Sequence, residues 1–413
     1  MLKLATAQVQ QFVQGLFAPR SGYVNQRSAA QESEVDLALV WVVVALLALG
    51  LLMVYSASIA NASEAKFTRG SATYFLARQS LFVLIGLTAA LFVFDTSMKH
   101  WERFAPWLIA GTILLLILVL IPGIGRTVNG ARRWIPLGPF GLQPSELMKT
   151  AMILFAARYA VSKVDVLHAQ QPLKQSLLRG LGPFILLALF ISALLLRQPD
   201  FGATFVVVTC GLLILFMAGL DYRLVVPVLI VGLISASALI IFEPYRLERI
   251  FSFLDPWKQE FGKGYQLTQS LMAIGRGGLF GLGLGASVSK HYYLPEAHTD
   301  FILAVTAEEL GLIGVIAIVS AYAWITWRAF KIGREARLNE QHFSSLVAQG
   351  IGTLFGLQSM INIAVNMGIA PTKGLTLPLM SYGGSGTISG LVLLSILLRI
   401  DWENRRLAKG YKV

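Results

Sequence analysis

The sequence predicts an all-α, polytopic integral membrane protein, and three observations support that fold class. Of its 413 residues, 55% are hydrophobic and only 14% are charged, whereas an ordinary soluble domain carries about 25% charged residues. The mean hydropathy is +0.66. The apolar residues also gather in runs long enough to cross the roughly 30 Å hydrocarbon core of a bilayer as single helices.

Ten apolar runs of spanning length follow one another along the chain, and each predicts one transmembrane helix. They lie at residues 37–58, 77–95, 104–122, 143–162, 177–196, 201–219, 223–242, 301–327, 344–369 and 376–399. The first run follows a largely polar segment and is long enough to span the bilayer itself. We therefore interpret it as a signal anchor and not as a cleaved signal peptide.

Basic residues decide how these helices are oriented. Ten helices place both termini on one side of the membrane, and most Lys and Arg residues of the tails and short loops fall on that side, which the positive-inside rule assigns to the cytoplasm. The chain then divides into a cytoplasmic tail (1–36), a ten-helix membrane domain (37–400) and a cytoplasmic C-terminal tail (401–413). A large loop between helices 7 and 8 (243–300) lies on the outer face.

The same basic residues argue against a nucleic-acid partner. The net charge is +12, but the Lys and Arg residues are scattered between the apolar runs and form no dense patch, so membrane orientation accounts for them. The only cysteine, Cys210, lies within an apolar run. The sequence therefore offers no disulfide framework and no cysteine-based metal site.

Ionisable residues inside or beside membrane spans are costly and indicate function by default. Glu146 and Lys149 lie three residues apart on one helical face, where a mutual ion pair is the simplest interpretation. Arg197 and Asp200 flank Pro199 at an outer turn, so we expect Asp200 to cap the following helix and Arg197 to pair with it. For both pairs, a structural role and a functional role stay open.

Two more carboxylates, Glu308 and Glu309, lie within the eighth predicted helix. Glu308 lies about 80° from Asp300 around the helix axis, so it could line the same cavity, whereas Glu309 lies on the opposite face. The alternative for Glu308 is a buried carboxylate paired with a cation such as Lys149.

The stretch "YLPEAHTD" (293–300) places Glu296, His298 and Asp300 immediately before an apolar helix. One interpretation is that Asp300 caps the helix, because a carboxylate there accepts bonds from unpaired backbone N–H groups. The other is a reaction centre. A metal site formed by Glu296 and His298 is only weakly indicated, because one histidine with nearby carboxylates is not a specific signal.

A set of cations lies near the same outer boundary, against the positive-inside trend. Its members are Arg132, Arg133, Arg246, Arg249 and Lys373. Each alone is explained by the tendency of Arg and Lys to extend to the membrane interface. Together, and beside an aspartate, they suit a phosphate or diphosphate group held at the level of the lipid headgroups.

Six motifs, in order over residues 129–385, resemble the SEDS family (shape, elongation, division and sporulation). They are "NGARRWIPLG", "QPSELMK", "QPDFGAT", "DPWKQEFGKGYQLTQSLMAIGRGG", "YLPEAHTDFILAVTAEELG" and "PTKGLTLPLMSYGGS". The variants "YQLTQSL", "LPEAHTD" and "TKGLTLP", together with the N-terminal extension, are similar to division-type members. The chain departs from the family at Gly386, which follows Ser385 where a second serine is usual.

The resemblance implies a peptidoglycan glycosyltransferase that polymerises lipid II at the outer face of the cytoplasmic (inner) membrane during septum formation. The implied partners are lipid II, membrane lipid, the class B penicillin-binding transpeptidase FtsI and other division proteins. Asp300 matches the family's essential aspartate. The resemblance implies no cofactor with certainty, although a divalent cation, Mg²⁺ or Mn²⁺, could share the work.

The implied reaction assigns a role to each candidate. A sugar hydroxyl attacks an anomeric carbon whose lipid diphosphate leaving group departs without a proton, so one carboxylate acting as general base is sufficient and direct displacement inverts the centre. We expect Asp300 to be that base and the five cations to stabilise the diphosphate. Glu296 and His298 are further candidates for substrate contacts. The expected supporting polar residues within the membrane are Glu146, Lys149, Asp200 and Glu308.

Two alternatives belong to other functional classes. A transporter that flips lipid II would use a polar path through the membrane, but the densest polar cluster lies at the outer face and no broken-helix repeat is evident. A non-enzymatic division scaffold that recruits the transpeptidase would not need the carboxylate of Asp300.

Overall fold

The protein is described by a computed structural model that covers residues 35–64, 70–128, 130–138, 140–167, 175–241, 252–262, 264–291, 293–372 and 374–411. Within these ranges the chain is mostly helical and contains one small antiparallel sheet. The predicted all-α class therefore describes most of this part of the chain, and the sheet is an addition that the sequence pattern did not predict.

Long helices dominate the described residues. In chain order they are α1 (Leu37–Glu64), α2 (Tyr74–Asp95), α3 (Met98–Leu120), α4 (Pro144–Ser162), the short α5 (Val164–Leu167), α6 (Gly182–Arg197), α7 (Phe201–Met217), α8 (Tyr222–Ile241), α9 (Tyr265–Gly277), α10 (Ile302–Leu338), α11 (His342–Asn366) and α12 (Gly384–Ala408). A π-helical turn, Ser176–Leu181, runs directly into α6, and a 3-10 helix, Pro256–Gln259, precedes α9.

Seven helical segments in the described ranges are long and apolar enough to cross a membrane. They are α1, α2, α3, the π-helical turn together with α6, α10, α11 and α12. Helix α7 and the first half of α8 are apolar but shorter. Helix α4 coincides with a predicted span but contains Glu146, Lys149 and Arg158. These helices make the chain a multi-pass membrane protein, because a helix satisfies its own backbone groups in lipid.

The tenth predicted span begins too early. The apolar pattern placed it at 376–399, whereas α12 begins at Gly384 and residues 374–383 form an irregular, largely buried segment. Pro378 cannot donate a helical hydrogen bond. Leu379 has a φ of 67°, in the left-handed region that a right-handed helix excludes. The apolar character of this segment thus reflects burial within the protein.

A small sheet precedes α4. Its strands are β1 (Arg126–Val128), β2 (Ala131–Leu137) and β3 (Phe140–Leu142), and β2 pairs antiparallel with both neighbours. The connections contain Gly130 and Gly138 with φ values of 75° and 61°, which glycine adopts without steric cost. The sheet therefore turns the chain back toward the start of α4.

Glycines allow the central helices to pack closely. A Cβ atom at Gly86 of α2 would lie 3.3 Å from the Cα atom of Ile388 in α12, and one at Gly350 of α11 would lie 2.9 Å from a methyl group of Ile153 in α4. Small residues at helix interfaces in membranes permit this approach. Helix α12 is accordingly the most enclosed of the seven candidate spans in the described residues.

Helix α10 is interrupted at Gly311, which has a φ of 68° and a ψ of −168°. The break frees backbone groups on either side of this residue. The N–H groups of Leu282 and Gly283 donate to the carbonyls of Glu308 and Glu309 at 2.9 and 3.1 Å. In the other direction, the N–H groups of residues 312 and 313 donate to the carbonyls of residues 278 and 279. The segment after α9 thus provides hydrogen-bond partners for the backbone groups that the break in α10 leaves unpaired.

Charged side chains join three helices at the far end of α10. Arg328 donates to Asp36, which precedes α1, and to Asp401 of α12 at 3.2 Å. Asp401 also accepts from Arg405 at 2.7 Å. Because both aspartates are buried, their charges need these partners. The network fixes α1, α10 and α12 together where their apolar lengths end.

Replacement of Gly311 by Ala should destabilise the fold. A Cβ atom there would lie 2.3 Å from the N atom of Gly281 and 2.5 Å from the carbonyl oxygen of Leu279, and a side chain at this positive φ costs about 1–3 kcal/mol of strain by itself. Thermal unfolding of the purified protein in detergent measures the effect. The control is Gly111→Ala in α3, where a Cβ atom meets nothing within 4 Å. Equal melting temperatures for the two variants would contradict the assigned break.

Candidate functional site: the start of α10

Asp300 lies in the turn that leads into α10 and is half-buried. The helix begins at Ile302, and Phe301 occupies the N-cap position. Asp300 therefore lies one residue before the N-cap position. The structure leaves the second interpretation, a reaction centre, in place.

Two buried asparagines of α11 hold the backbone around Asp300. The side-chain amides of Asn362 and Asn366 each donate to the carbonyl of Asp300 at 3.0 Å. The amide oxygen of Asn366 accepts from the N–H of Ala304 at 3.2 Å. An α-helix would normally join this N–H to this carbonyl. The two amides therefore replace a missing helical bond and define the orientation of the chain at Asp300.

The same amides connect Asp300 to the irregular segment before α12. Asn362 also donates to the carbonyl of Leu375 at 2.6 Å. A Cβ atom at Gly374 would lie 3.2 Å from Oδ2 of Asp300, so the backbone of Gly374 lies directly beside the carboxylate. The motifs "LPEAHTD" and "TKGLTLP", which are far apart in sequence, thus meet at one place.

An open cavity borders this segment at Thr376. Its lining includes Glu146, Lys149, Gln358, Thr376, Ser381 and Gly386. Glu146 and Lys149 form the predicted ion pair at 2.7 Å, and Lys149 also donates to Oε1 of Gln358 at 2.9 Å. Gln358 in turn donates to the carbonyl of Thr376. Thr376 of the cavity lining and Gly374 beside Asp300 are therefore only two residues apart in the same segment.

The departure at Gly386 has a local consequence in this cavity. A Cβ atom at Gly386 would lie 3.5 Å from Oε2 of Glu146, which is ordinary contact distance. Ser385 donates to the carbonyl of Gly141 at 3.3 Å and accepts from the N–H of Gln143 at 2.9 Å. Ser385 thus holds the start of α4, whereas Gly386 leaves space beside the Glu146 carboxylate.

Asp200 caps α7, as predicted, but its second partner differs from the expected one. Its Oδ1 atom accepts from the N–H of Ala203 at 3.2 Å. Its Oδ2 atom accepts from Ser145 at 3.0 Å and from Gln143 at 3.5 Å. Among the described residues, Arg197 forms no ion pair with Asp200, so that expectation is wrong. Asp200 connects α7 to the start of α4.

Arg132 and Arg133 lie on β2, and both donate to backbone carbonyls. Arg132 donates to the carbonyl of Leu120 at 3.0 Å. Arg133 donates to the carbonyls of Gln198 at 2.9 Å and of Pro199. These bonds anchor the sheet to the C-terminal ends of α3 and α6. A guanidinium group carries five N–H donors, so these contacts use only part of each group.

Glu308 is a buried carboxylate paired with a cation, as one of its two interpretations expected, but that cation is Arg276 and not Lys149. Glu308 is not part of the lining of the cavity beside Glu146. Its carboxylate accepts from the hydroxyl of Ser287 at 2.6 Å, from the N–H groups of residues 288 and 289, and pairs with Arg276 at 3.5 Å. Glu309 pairs with Lys290 at 3.1 Å and accepts from the hydroxyl of Ser56 in α1. The folding of a distant loop, which the helical spacing could not predict, determines these partners.

His298 and Glu296 occupy different environments. His298 packs between Phe75 and Tyr382, with ring centroids 4.5 and 5.5 Å away, and its carbonyl accepts from the N–H of Tyr382. Burial lowers the pKa of His298, and the nearby Glu296 opposes this shift only in part. Glu296 is exposed and accepts from Thr299 at 2.8 Å. No group of three His, Cys, Asp or Glu residues in the described ranges could hold a metal ion.

Three of the candidate cations, Arg246, Arg249 and Lys373, lie outside the described residues. The structure instead adds Asn362, Asn366 and Gln358, which the sequence reading missed. Amides at intervals of four residues within an apolar helix are the signal that could have identified them. That signal was available in "LQSMINIAVN".

Comparison with known proteins gives concordant results. The sequence model of the FtsW, RodA and SpoVE family, described as "Cell cycle protein", matches residues 37–406. A relative named "Probable peptidoglycan glycosyltransferase FtsW" from Aromatoleum aromaticum is 51% identical over 93% of this chain and 92% of its own length. A relative of the same name from Nitrosomonas europaea is 49% identical over 92% of this chain and 96% of its own.

Solved structures show the same fold. One, described as "Structural coordination of polymerization and crosslinking by a peptidoglycan synthase complex", has a TM-score of 0.72 and 29% identity, and the match covers 90% of this chain and 98% of that chain. The rod shape determining protein RodA of Thermus thermophilus has a TM-score of 0.64 and 30% identity, with 90% and 97% covered.

Replacement of Asn362 by Ala should destabilise the protein. The carbonyl of Leu375 loses a buried donor, whereas that of Asp300 keeps the bond from Asn366. An unsatisfied buried group costs about 1–3 kcal/mol. Thermal unfolding measures this loss. The matched control is Ser359→Ala, one turn earlier on α11, because Ser359 is equally buried but donates only to carbonyls of its own helix. If both variants lose the same stability, the asparagine does not act as described.

Acidification should destabilise the protein through His298. Its pKa is lowered in the folded state. As the pH falls through the ordinary histidine value of about 6.5, the unfolded state therefore binds a proton more readily than the folded state does. The free energy of unfolding decreases as a result. His298→Phe preserves the ring packing and should reduce the loss in melting temperature between about pH 7.5 and about pH 5.5, either side of that value. An unchanged pH dependence in the variant would contradict this role.

Proposed function

Since this chain belongs to the FtsW, RodA and SpoVE family, the SEDS family of cell cycle proteins, we propose that it polymerises lipid II at the outer face of the cytoplasmic membrane, at the division septum. It is a peptidoglycan glycosyltransferase of cell division. The observation that carries the detailed proposal is the position of Asp300, a half-buried carboxylate whose backbone is held by two amides beside the segment that begins at Gly374.

The proposed topology has ten transmembrane helices with both termini in the cytoplasm. The helices that support it are α1 to α4, α6 to α8 and α10 to α12, each of which overlaps one of the ten apolar runs. Residues 1–36 and 401–413 are then cytoplasmic tails of a membrane domain that extends over 37–400. The outer face holds Asp300, β2 and the 243–300 region.

In the proposed mechanism Asp300 is the general base. A sugar hydroxyl of one substrate gives its proton to the carboxylate while its oxygen forms a bond to the anomeric carbon of the other. The bond from that carbon to the lipid diphosphate breaks, and the diphosphate leaves with the electron pair. Because this leaving group needs no proton, a second carboxyl acting as an acid is unnecessary. Attack from the face opposite the leaving group inverts the anomeric centre.

Cationic side chains are proposed to stabilise the diphosphate as its charge develops. Arg246, Arg249 and Lys373 are candidates from the sequence. Arg132 and Arg133 are less direct candidates, because their observed bonds to carbonyls give them an anchoring role in the sheet. The described residues do not bring together a carboxylate and histidine set suited to Mg²⁺ or Mn²⁺, so the proposed steps use protein groups only.

The polar residues within the membrane have supporting roles in this proposal. Glu146 and Lys149 hold Gln358, and Gln358 holds the segment beside Asp300. Glu308 and Glu309 are fully engaged by a loop, by Arg276 and by Lys290. A flippase would need these charges along a transport path, so their present partners favour the glycosyltransferase over that alternative.

A transpeptidase partner follows from the same relationships. The solved relative described as a peptidoglycan synthase complex that coordinates polymerization and crosslinking supports a partner of that class. We propose the class B penicillin-binding transpeptidase FtsI as that partner, together with other division proteins. Its action would crosslink the strands that this chain polymerises.

Replacement of Asp300 by Asn should abolish polymerisation. The amide is similar in size but cannot accept the proton, and general-base catalysis contributes about 10²–10⁴-fold to rate. The measurement is glycan-strand synthesis from purified lipid II by the protein together with its transpeptidase, with lipid II binding and complex formation determined on the same samples. The control is Glu260→Gln, which removes an exposed carboxylate of the 243–300 region that has no assigned role and should retain activity.

The two variants separate the alternatives. Normal glycan synthesis by Asp300→Asn would remove Asp300 from the base assignment. Absence of polymer from the wild type and both variants, with intact complexes, would instead favour a scaffold or a transporter.

A further inference from the structure

The segment between α9 and the loop that leads to Asp300 exposes a row of large apolar side chains. Its sequence, "LFGLGLG" at residues 279–285, contains no polar side chain. The exposed fractions are 61% for Leu279, 79% for Phe280, 49% for Leu282 and 60% for Leu284. We call residues 279–285 the apolar ridge. An exposed apolar row of this kind marks contact with a partner or with lipid.

The backbone of the apolar ridge is compatible with lipid, although it is not helical. Irregular backbone at membrane depth must have its polar groups satisfied by protein. The N–H groups of residues 281, 282, 283 and 285 all have partners, three of them in α10. The carbonyl of Leu279 accepts from the N–H of Ile313. The break at Gly311 thus supplies part of the hydrogen bonding that lipid cannot.

The depth of α10 places the ridge inside the hydrocarbon edge. The lower end of its apolar length is marked by Arg328. An apolar helix needs about 20 residues to cross the hydrocarbon core, and counting back from Arg328 puts the outer edge near Glu308. Gly311 and the segment bonded to it then lie just within that edge.

The exposure pattern of α10 agrees with this depth. Residues 302–309 of α10 are buried in protein, and exposed apolar side chains begin at Leu312 and Ile313, which are 47% and 54% exposed. Because Ile313 is bonded to Leu279, the ridge continues the same apolar surface without a gap. Arg276, with a side chain 43% exposed, marks the polar side of this boundary.

We propose that the apolar ridge inserts into the outer leaflet, where its side chains contact lipid acyl chains. Part of the 243–300 region is then a re-entrant membrane segment and not an aqueous loop. Glu308 and Glu309 bind residues 285–290 to α10, so the inserted ridge and the loop that reaches Asp300 are held at a fixed depth. The bilayer thereby sets the height of the outer site relative to the headgroups.

Nitroxide labels on single cysteines test this insertion directly. The sole native cysteine, Cys210, is buried in α7, and a Cys210→Ala background removes it. Phe280→Cys and Leu284→Cys are labelled in the full-length protein in phospholipid nanodiscs, and accessibility is measured to oxygen, which enriches in lipid, and to a water-soluble nickel chelate. Phe92→Cys in α2, where Phe92 is 74% exposed, is the lipid control. Lys258→Cys, where Lys258 is 82% exposed, is the aqueous control.

The expected result is an oxygen-to-nickel accessibility ratio at positions 280 and 284 close to that at 92 and severalfold above that at 258. A ratio close to that at 258 would overturn the proposal, because the ridge would be in water. Exclusion of both reagents would also overturn it, because protein and not lipid would cover the ridge. Two independent label sites keep the test valid if one variant fails to fold, and neither outcome depends on glycosyltransferase activity.

Discussion

Backbone hydrogen bonding inside a membrane is the constraint on which the rest of this structure depends. Lipid offers no donors or acceptors, so every N–H and C=O group left unpaired by a helix break must find a partner within the protein. Two irregular regions meet beside Asp300: the start of α10 and residues 374–383. Asn362 and Asn366 supply partners to both. A pair of amides on α11 therefore fixes the geometry of the outer site.

The same constraint applies at the break in α10 at Gly311, further along the chain than Asp300. Its unpaired groups are satisfied by the segment after α9, and the adjacent carboxylates of Glu308 and Glu309 bind the next stretch of that segment. A buried carboxylate is tolerable only when charge and lone pairs both have partners, which Arg276, Lys290 and the loop N–H groups provide. These charges thus build a rigid support below Asp300, where the sequence alone suggested a cavity lining or a transport path.

The features that the sequence could predict are those set by residues close together in the chain, and not those set by tertiary contacts. Apolar runs predicted helices well, because a lipid-exposed chain has little alternative to a helix, and the spacing of Glu146 and Lys149 predicted their ion pair. The pattern failed where tertiary contacts decide. Residues 376–383 are apolar because protein surrounds them, so they mimicked the start of a span. The partners of Glu308 depend on a loop returning from α9, and no helical periodicity contains that information.

Positioning through the backbone has a chemical consequence at Asp300. The side-chain amides of Asn362 and Asn366 bind the backbone carbonyl of Asp300, so these two bonds fix the chain at the residue proposed as the base without using its carboxylate. The neighbouring Gly374 backbone then limits how far the side chain can extend, since Oδ2 lies 3.2 Å from where a Cβ atom would be. An added methylene would move the carboxylate by about 1 Å or more, a displacement that can cost 10²-fold in rate. A short side chain on a fixed backbone is therefore the arrangement that this site requires.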